Sequence, residues 1–401
     1  MAYRPYRGRR RRRGSGWGLV FGALAAGGML LGVTWYLHVP VPNWIGSRNV
    51  EAVTVQMAAP ALPPQPTPQP RSLESLVGDA DLAFSEGRWI DAVDGYRKVV
   101  ELDPTYGRAQ IRWTRALIDQ HRLNEAVERG RAAIALIPNS AEARATLATA
   151  LDWSGQVDRA VQIGLEAVQI DQSSATAMAA LAEAYSDQYR LLEADDLLAR
   201  ALDIAPDDPE LYRIQGVLRE TRADYAGAVE SYTRAVDLAP KWSYLYVSLG
   251  HAYRAQNQYD QALMAFQRAL TLNPNDARAE GGRGMVHLAR EEYEHASERF
   301  QRAIELDPTY ATAYAQLGWI HYGRREYDKA EPLFLRAVEL DRDGGRIAQY
   351  RHALGWIYVA ARRTADAREQ FTKALALNPG LQGARDGLAA LQGTSQPRGG
   401  R

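Results

Sequence analysis

Between Pro104 and Pro379 the chain repeats itself every 34 residues. Prolines stand at Pro104, Pro138, Pro206, Pro240, Pro274 and Pro308, Gln172 and Arg342 occupy the two missing slots, and Pro379 is displaced by a three-residue insertion. Twelve residues before each slot lies an alanine: Ala92, Ala126, Ala160, Ala194, Ala228, Ala262, Ala296, Ala330 and Ala367. A fixed period of this length predicts a solenoid, because one such unit cannot bury its apolar face alone and must lean on the next.

Within a unit the apolar residues recur at spacings of three and four, which predicts two helices. Tyr246-x-x-Leu249-Gly250-x-x-Tyr253, then Ala262-x-x-x-Phe266, then Pro274, shows one complete unit. Tyr246, Leu249 and Tyr253 form the stripe of the first helix, and Gly250 and Ala262 leave room for the helices to cross closely. Extra methylenes at such a crossing cost about 1–3 kcal/mol in strain. Proline ends the second helix by removing a donor and driving the residue before it out of the α region.

This pattern resembles the tetratricopeptide repeat family, and the resemblance covers nine units over residues 73–381. Tyr314-x-x-Leu317-Gly318 with Ala330 and Phe334 matches again, as does Leu354-Gly355-x-x-Tyr358 with Ala367, Phe371 and Pro379. The resemblance implies an all-α, right-handed superhelical solenoid of helix-turn-helix units. Repeats two and three place Gly130 and Gly164 where the family prefers an aromatic, so these units are expected to pack more loosely. Residues 382–392 are expected to cap the open end as a short helix, and 393–401 to form a disordered tail.

Although the formal net charge is zero, residues 1–71 carry nine arginines against the single acid Glu51. Residues 1–16 hold Arg4, Arg7 and the run from Arg9 to Arg13, and no Asp, Glu, Lys or Arg follows until after Ser47. Residues 17–38 read as a transmembrane helix, for Trp17 to Leu37 would reach about 31 Å, the thickness of a bilayer core. Trp17, Trp35 and Tyr36 suit the two interfaces. A cleaved signal peptide is the alternative, but its apolar stretch is shorter and ends in small residues. The arginines favour a cytoplasmic N-terminus, a single-pass membrane protein and an extracytoplasmic array, joined by a Pro-rich linker over 39–71. Nucleic acid is not expected as a partner, because no basic face follows the arginine run. Gly18-x-x-x-Gly22 and Gly28-x-x-x-Gly32 leave a homodimer through the transmembrane helix open, though glycine is common in such helices anyway. With only Lys98, Lys241, Lys329 and Lys373 among 48 basic residues, the composition suggests a GC-rich bacterial genome.

No cysteine is present, which excludes disulfides, thiol nucleophiles and cysteine-bound zinc. The sequence has no phosphate loop, no Gly-x-Ser-x-Gly elbow, no His-Glu-x-x-His and no dinucleotide fingerprint. No catalytic residue, cofactor or metal site is therefore expected, and the chain is read as a non-enzyme. His287 and His321 share the slot of Tyr253 and Tyr358 and are expected to be packed and hydrogen-bonded rather than metal ligands.

Function must then reside in the surface. In the family resembled, the first helix of each unit lines a concave groove through positions two, five, nine, twelve and thirteen. Carried over, repeats one to five contribute Glu74, Asp81, Asp119, Glu142, Asp152, Glu183, Asp187, Glu210 and Glu220 against Arg108, Arg115 and Arg213. Repeats six to nine contribute no acid at these positions and offer Tyr244, His251, Arg254, Arg278, Met285, Leu288, Trp319, Tyr322, His352 and Trp356. Trp319, Tyr322, Trp356 and Met285 are expected to anchor a protein or peptide partner, with Tyr244, His251 and Arg254 beside them, because rigid rings bury much area at small entropic cost. The acidic half is expected to attract basic residues of the same partner, although Trp319 and Trp356 as helix braces and the acids as a solvated face remain open. Capture of a terminal carboxylate in the family's usual manner is not expected, since lysine and asparagine of the first unit are replaced by Val77 and Asp81. The chain thus reads as a membrane-anchored scaffold organising a cell-envelope assembly. An accessory factor for glycosyl transfer or protein maturation, working with a separate catalytic partner, is the alternative that the resemblance allows.

Overall fold

The structure, a computed structural model, describes residues 72–341 and 344–393. Repeats one to three are α1 (Leu73–Ser85) with α2 (Trp89–Leu102), α3 (Gly107–Asp119) with α4 (Leu123–Leu136), and α5 (Ala141–Trp153) with α6 (Val157–Ile170). Repeats four to six are α7 (Ala175–Asp187) with α8 (Leu191–Ile204), α9 (Pro209–Thr221) with α10 (Tyr225–Leu238), and α11 (Ser243–Ala255) with α12 (Tyr259–Leu272). Repeats seven to nine are α13 (Ala277–Ala289) with α14 (Tyr293–Leu306), α15 (Ala311–Gly323) with α16 (Tyr327–Leu340), and α17 (Gly344–Ala360) with α18 (Thr364–Leu377). A final helix, α19 (Gln382–Gly393), packs on α17 and α18. Among the described residues these nineteen helices and no strand form an all-helical solenoid of consecutive pairs.

The turns follow from local chemistry. Ser72, Ser140, Ser174, Asp208 and Asp276 cap first helices, each accepting from a backbone N–H two or three residues on. Between the helices of a pair, one residue takes a left-handed conformation: Gly87, His121, Gly155, Tyr189, Ala223, Asn257, Glu291, Arg325 and Arg362. Second helices end where Asp103, Asn273, Asp307 and Asn378 become extended before proline. Asp171 is extended in the same way ahead of Gln172, so the frame holds the turn without proline.

All nine periodic alanines are 0% exposed, which fixes them as the crossing points of the array. A Cβ on Gly250 would lie 2.7 Å from the Phe266 ring, and one on Gly282 of the next inner helix 2.3 Å from the same ring. The Phe266 ring is thereby clasped between two first helices. Phe371 is held likewise by Gly355 and Gly387, so α19 takes the place of a tenth first helix.

Repeats two and three differ from this, and against the expectation of looser packing. Where the ring is absent, the neighbouring helix closes in: a Cβ on Gly130 would meet Leu147 at 3.0 Å and its Cα at 3.3 Å, and one on Gly164 would meet Leu181 at 3.2–3.3 Å. Alanines of α5 and α7 complete the close fit. Contacts between consecutive first helices are broad from α3 to α9 and thin from α9 onwards. Small residues thus bring the inner helices together in the first half of the array.

No helix among the described residues is long and apolar enough to cross a membrane. This corrects the expectation of a single-pass membrane protein with an extracytoplasmic array. The segments on which that expectation rested, residues 1–16, 17–38 and 39–71, lie outside the described residues, as do pairing through Gly18 to Gly32 and residues 394–401. Gly393, placed by sequence in the tail, ends α19.

Candidate partner-binding groove

The acidic half of the inner face does not remain open. The turn after α1 reaches the turn before α11, 155 residues later, where Lys241 Nζ lies 3.1 Å from Glu86 Oε1. A Cβ on Gly87 would fall 2.5 Å from the Lys241 carbonyl oxygen. Trp89, 4% exposed, sets its ring edge-on to Trp242 at 5.7 Å and tilted to Tyr244 at 6.0 Å, and Trp242 stacks on Tyr244 at 5.8 Å. The first and sixth repeats therefore touch along a seam that closes this part of the coil.

Behind the seam Glu183, Glu210 and Asp119 are held by ion pairs. Arg115 Nη2 donates to Glu210 Oε1 at 2.6 Å, Arg213 Nε to Glu210 Oε2 at 2.7 Å, and Arg213 Nη2 to Glu183 Oε2 at 2.8 Å. Tyr244 donates its hydroxyl to Glu210, and Trp153 Nε1 to Glu183 Oε1 at 3.1 Å. The Arg213 guanidinium also lies over the Trp153 ring, 5.1 Å from its centroid. Burial pushes the Glu210 carboxyl up, but Arg115 and Arg213 outweigh it and hold it down at about 2. Asp119 goes the other way: burial pushes it up to about 7, only partly countered by Arg115 at 3.5 Å. Asp152 is raised by burial and then by the Glu183 charge. Glu183, Glu210 and Asp119 are therefore an internal network, not an attractive face for a basic partner segment. Tyr244, expected in the groove, belongs to the seam.

Beyond the seam the inner wall is open. Position nine forms a ladder on successive first helices, His251, Met285, Trp319 and Trp356, and position twelve places Arg254, Leu288 and Tyr322 beside it. All seven are half-buried. Trp319 sits edge-on to Phe334 at 4.8 Å and to Tyr322 at 5.6 Å, while Trp356 is edge-on to Phe371 at 5.5 Å and donates Nε1–H to His352 Nε2 at 2.9 Å. One face of each indole thus braces the core while the residue keeps part of its surface free. His352 is itself covered by Gly383 of α19, whose Cβ would lie 2.5 Å from Nε2.

His251 is edge-on to Phe266 at 5.1 Å, and burial, aided by Arg254, pulls its pKa down to about 4, so its ring is neutral at pH 7. His287 and His321 each place Nδ1 2.6 Å from the carboxylate of the glutamate five residues on, Glu292 and Glu326. Among the described residues no cluster of three or more His, Asp or Glu side chains is arranged to hold a metal ion.

The architecture defines an α-solenoid whose inner wall is closed by self-packing in its first half and free in its second. Tetratricopeptide repeat models match residues 117–163, 174–205, 243–276, 276–343 and 309–379. The chain belongs to the tetratricopeptide repeat family. No curated protein sequence matches it.

Among solved structures it is similar to the Cut9–Hcn1 hetero-tetramer of the APC/C, at 17% identity over 79% of this chain and 55% of that one, with a TM-score of 0.53. It thus spans little more than half of that relative's length, and the likeness is one of fold. PilF of Pseudomonas aeruginosa matches at 20% identity over 54% of this chain and 97% of that one, TM-score 0.46. MamA matches at 24% identity over 41% and 94%, TM-score 0.35.

Proposed function

We propose that this chain is a protein-binding scaffold that holds an extended partner segment along the inner wall of repeats six to nine. It acts by binding, with no chemistry of its own, and so brings partners into an assembly. The observation that carries this reading is the ladder of Met285, Trp319 and Trp356, with Tyr322 beside it, half-buried on consecutive first helices. A soluble array gains nothing from large apolar groups at an open wall unless they are covered part of the time. Rings already fixed by edge contacts lose little further entropy when they are covered.

Affinity capture with the full chain, beside Trp319→Ala/Trp356→Ala, tests this. Proteins retained by the wild type are expected to be lost from the double variant while its helical content persists. Unchanged capture together with an unchanged melting temperature would eliminate the groove.

A further inference from the structure

Along the inner wall the aromatic side chains differ in what they donate to. At the seam and behind it, Tyr244 gives its hydroxyl to Glu210 and Trp153 its Nε1–H to Glu183. On the open wall, Trp319 Nε1 and the Tyr322 hydroxyl, both on α15, meet no hydrogen-bond acceptor among the described residues, and neither atom is buried. Their rings are nonetheless fixed, standing edge-on to one another at 83° and each edge-on to Phe334 at 71°. Two crossed rings thus carry two free donors.

The first helices of repeats eight and nine bring almost no charge to this wall. α15 holds no Asp, Glu, Lys or Arg, and α17 holds no acid; its Arg346 pairs with Asp341 and its Arg351 donates to Gln370. In the turns, Arg324 pairs with Glu294 and Glu326 with His321 and Lys329, while Arg325 and Arg362 are exposed. The cations of repeats six and seven are matched as well, Arg254 facing Glu220 and Arg278 facing Asp276 and Asp307. A charged side chain laid across Trp319 and Trp356 would lose water without gaining a counter-charge, whereas a carbonyl oxygen needs only the two donors already there.

Resting on the groove reading above, we infer that the segment held along repeats eight and nine is uncharged and rich in proline. A helix commits its carbonyls to its own hydrogen bonds, and an extended strand brings N–H donors for which these two helices offer no carboxylate. A polyproline II segment leaves every carbonyl free, and its prolines have no N–H to satisfy. Its rings pack on Trp319 and Tyr322 and, one repeat on, on Trp356, while Trp319 Nε1 and the Tyr322 hydroxyl donate to its carbonyls. Such a segment is extended before it binds, so little further entropy is lost.

A random linear peptide library, with binders counter-screened on Trp319→Ala/Trp356→Ala, provides the test. Selection is run on the full chain and on the full chain with serine at the six prolines from Pro60 to Pro70, which removes its own proline-rich stretch. Binders that depend on the tryptophans are expected to be rich in proline and poor in charged residues. Their affinity, read by fluorescence anisotropy on synthetic copies, is expected to be unchanged at raised salt. It is expected to fall roughly fivefold or more in Trp319→Phe/Tyr322→Phe, which keeps an aromatic at each site and removes both donors. Melting curves verify folding, and Tyr322→Phe alone, with a loss of roughly twofold or more, serves if the pair is unstable. Tryptophan-dependent binders that are proline-poor, that weaken with salt, or that ignore the phenylalanine substitutions would overturn the proline assignment while leaving the groove in place. Selections yielding no tryptophan-dependent binder on either protein would overturn the groove and this inference with it.

Discussion

Substituting Gly87 by alanine isolates the seam, because the array contains its own control. Gly87 and Gly155 occupy the same turn two repeats apart, with φ of +67° and +78°. The other seven repeats place non-glycine residues there at φ between 58° and 61°, so the conformation alone does not demand glycine. What distinguishes Gly87 is the Lys241 carbonyl oxygen, 2.5 Å from where its Cβ would be, whereas nothing lies within 4 Å of the corresponding point on Gly155. Gly155→Ala should therefore cost only the strain of a left-handed alanine, about 1–2 kcal/mol.

Gly87→Ala carries the same strain and must also move the turn by about 1 Å to regain van der Waals contact. That shift loosens Trp89 from Trp242 and Tyr244. With aromatic pairs contributing about 0.5–1.5 kcal/mol each, the total becomes roughly 2–5 kcal/mol. The absence of native cysteine allows spin labels at Ile90→Cys and Thr233→Cys, both exposed sites, without background. Chemical denaturation of the two glycine variants, with distance distributions between the labels, is the assay. A broadened distribution and larger loss confined to Gly87→Ala are expected. Equal losses with unchanged distances would refute the seam.

The internal ion network makes two further predictions. Glu210→Gln leaves Arg115 and Arg213 without their shared counter-charge and should cost about 3–5 kcal/mol in urea unfolding; a loss below ~1 kcal/mol would show that the pair is not buried as described. The pKa of Asp119 is raised in the fold, so its stabilising contribution is complete below about pH 4 and disappears as pH rises through about 7. Glu210 has the opposite sign, contributing above about pH 4.5 and losing that contribution as pH falls towards 2. Asp119→Asn should remove the loss of stability that Asp119 causes between about pH 4 and 7, each tenfold change in proton affinity between folded and unfolded chain being equivalent to ~1.4 kcal/mol. Identical pH profiles for wild type and Asp119→Asn would sink that assignment.

Much of the fold is legible in the sequence because a repeat states each structural requirement nine times. The alanines from Ala92 to Ala367 and the Leu-Gly pairs mark where one helix crosses the next, and crossing distance depends on local side-chain volume that a sequence displays directly. Gly130 and Gly164 mislead for a related reason. An absent ring signals a gap only if the neighbours stay where they are, and here Leu147 and Leu181 advance to fill it.

The groove is half legible. Position nine of each unit, from His251 to Trp356, can be named from the period, because a 34-residue step returns to the same face of successive first helices. The seam cannot. Glu86 and Lys241 are 155 residues apart, and their meeting depends on how far each repeat turns relative to the last, a small rotation summed over several units. Periodicity by itself determined the face on which Glu183, Glu210, Arg115 and Arg213 stand; tertiary curvature alone decided that they would be sealed against one another.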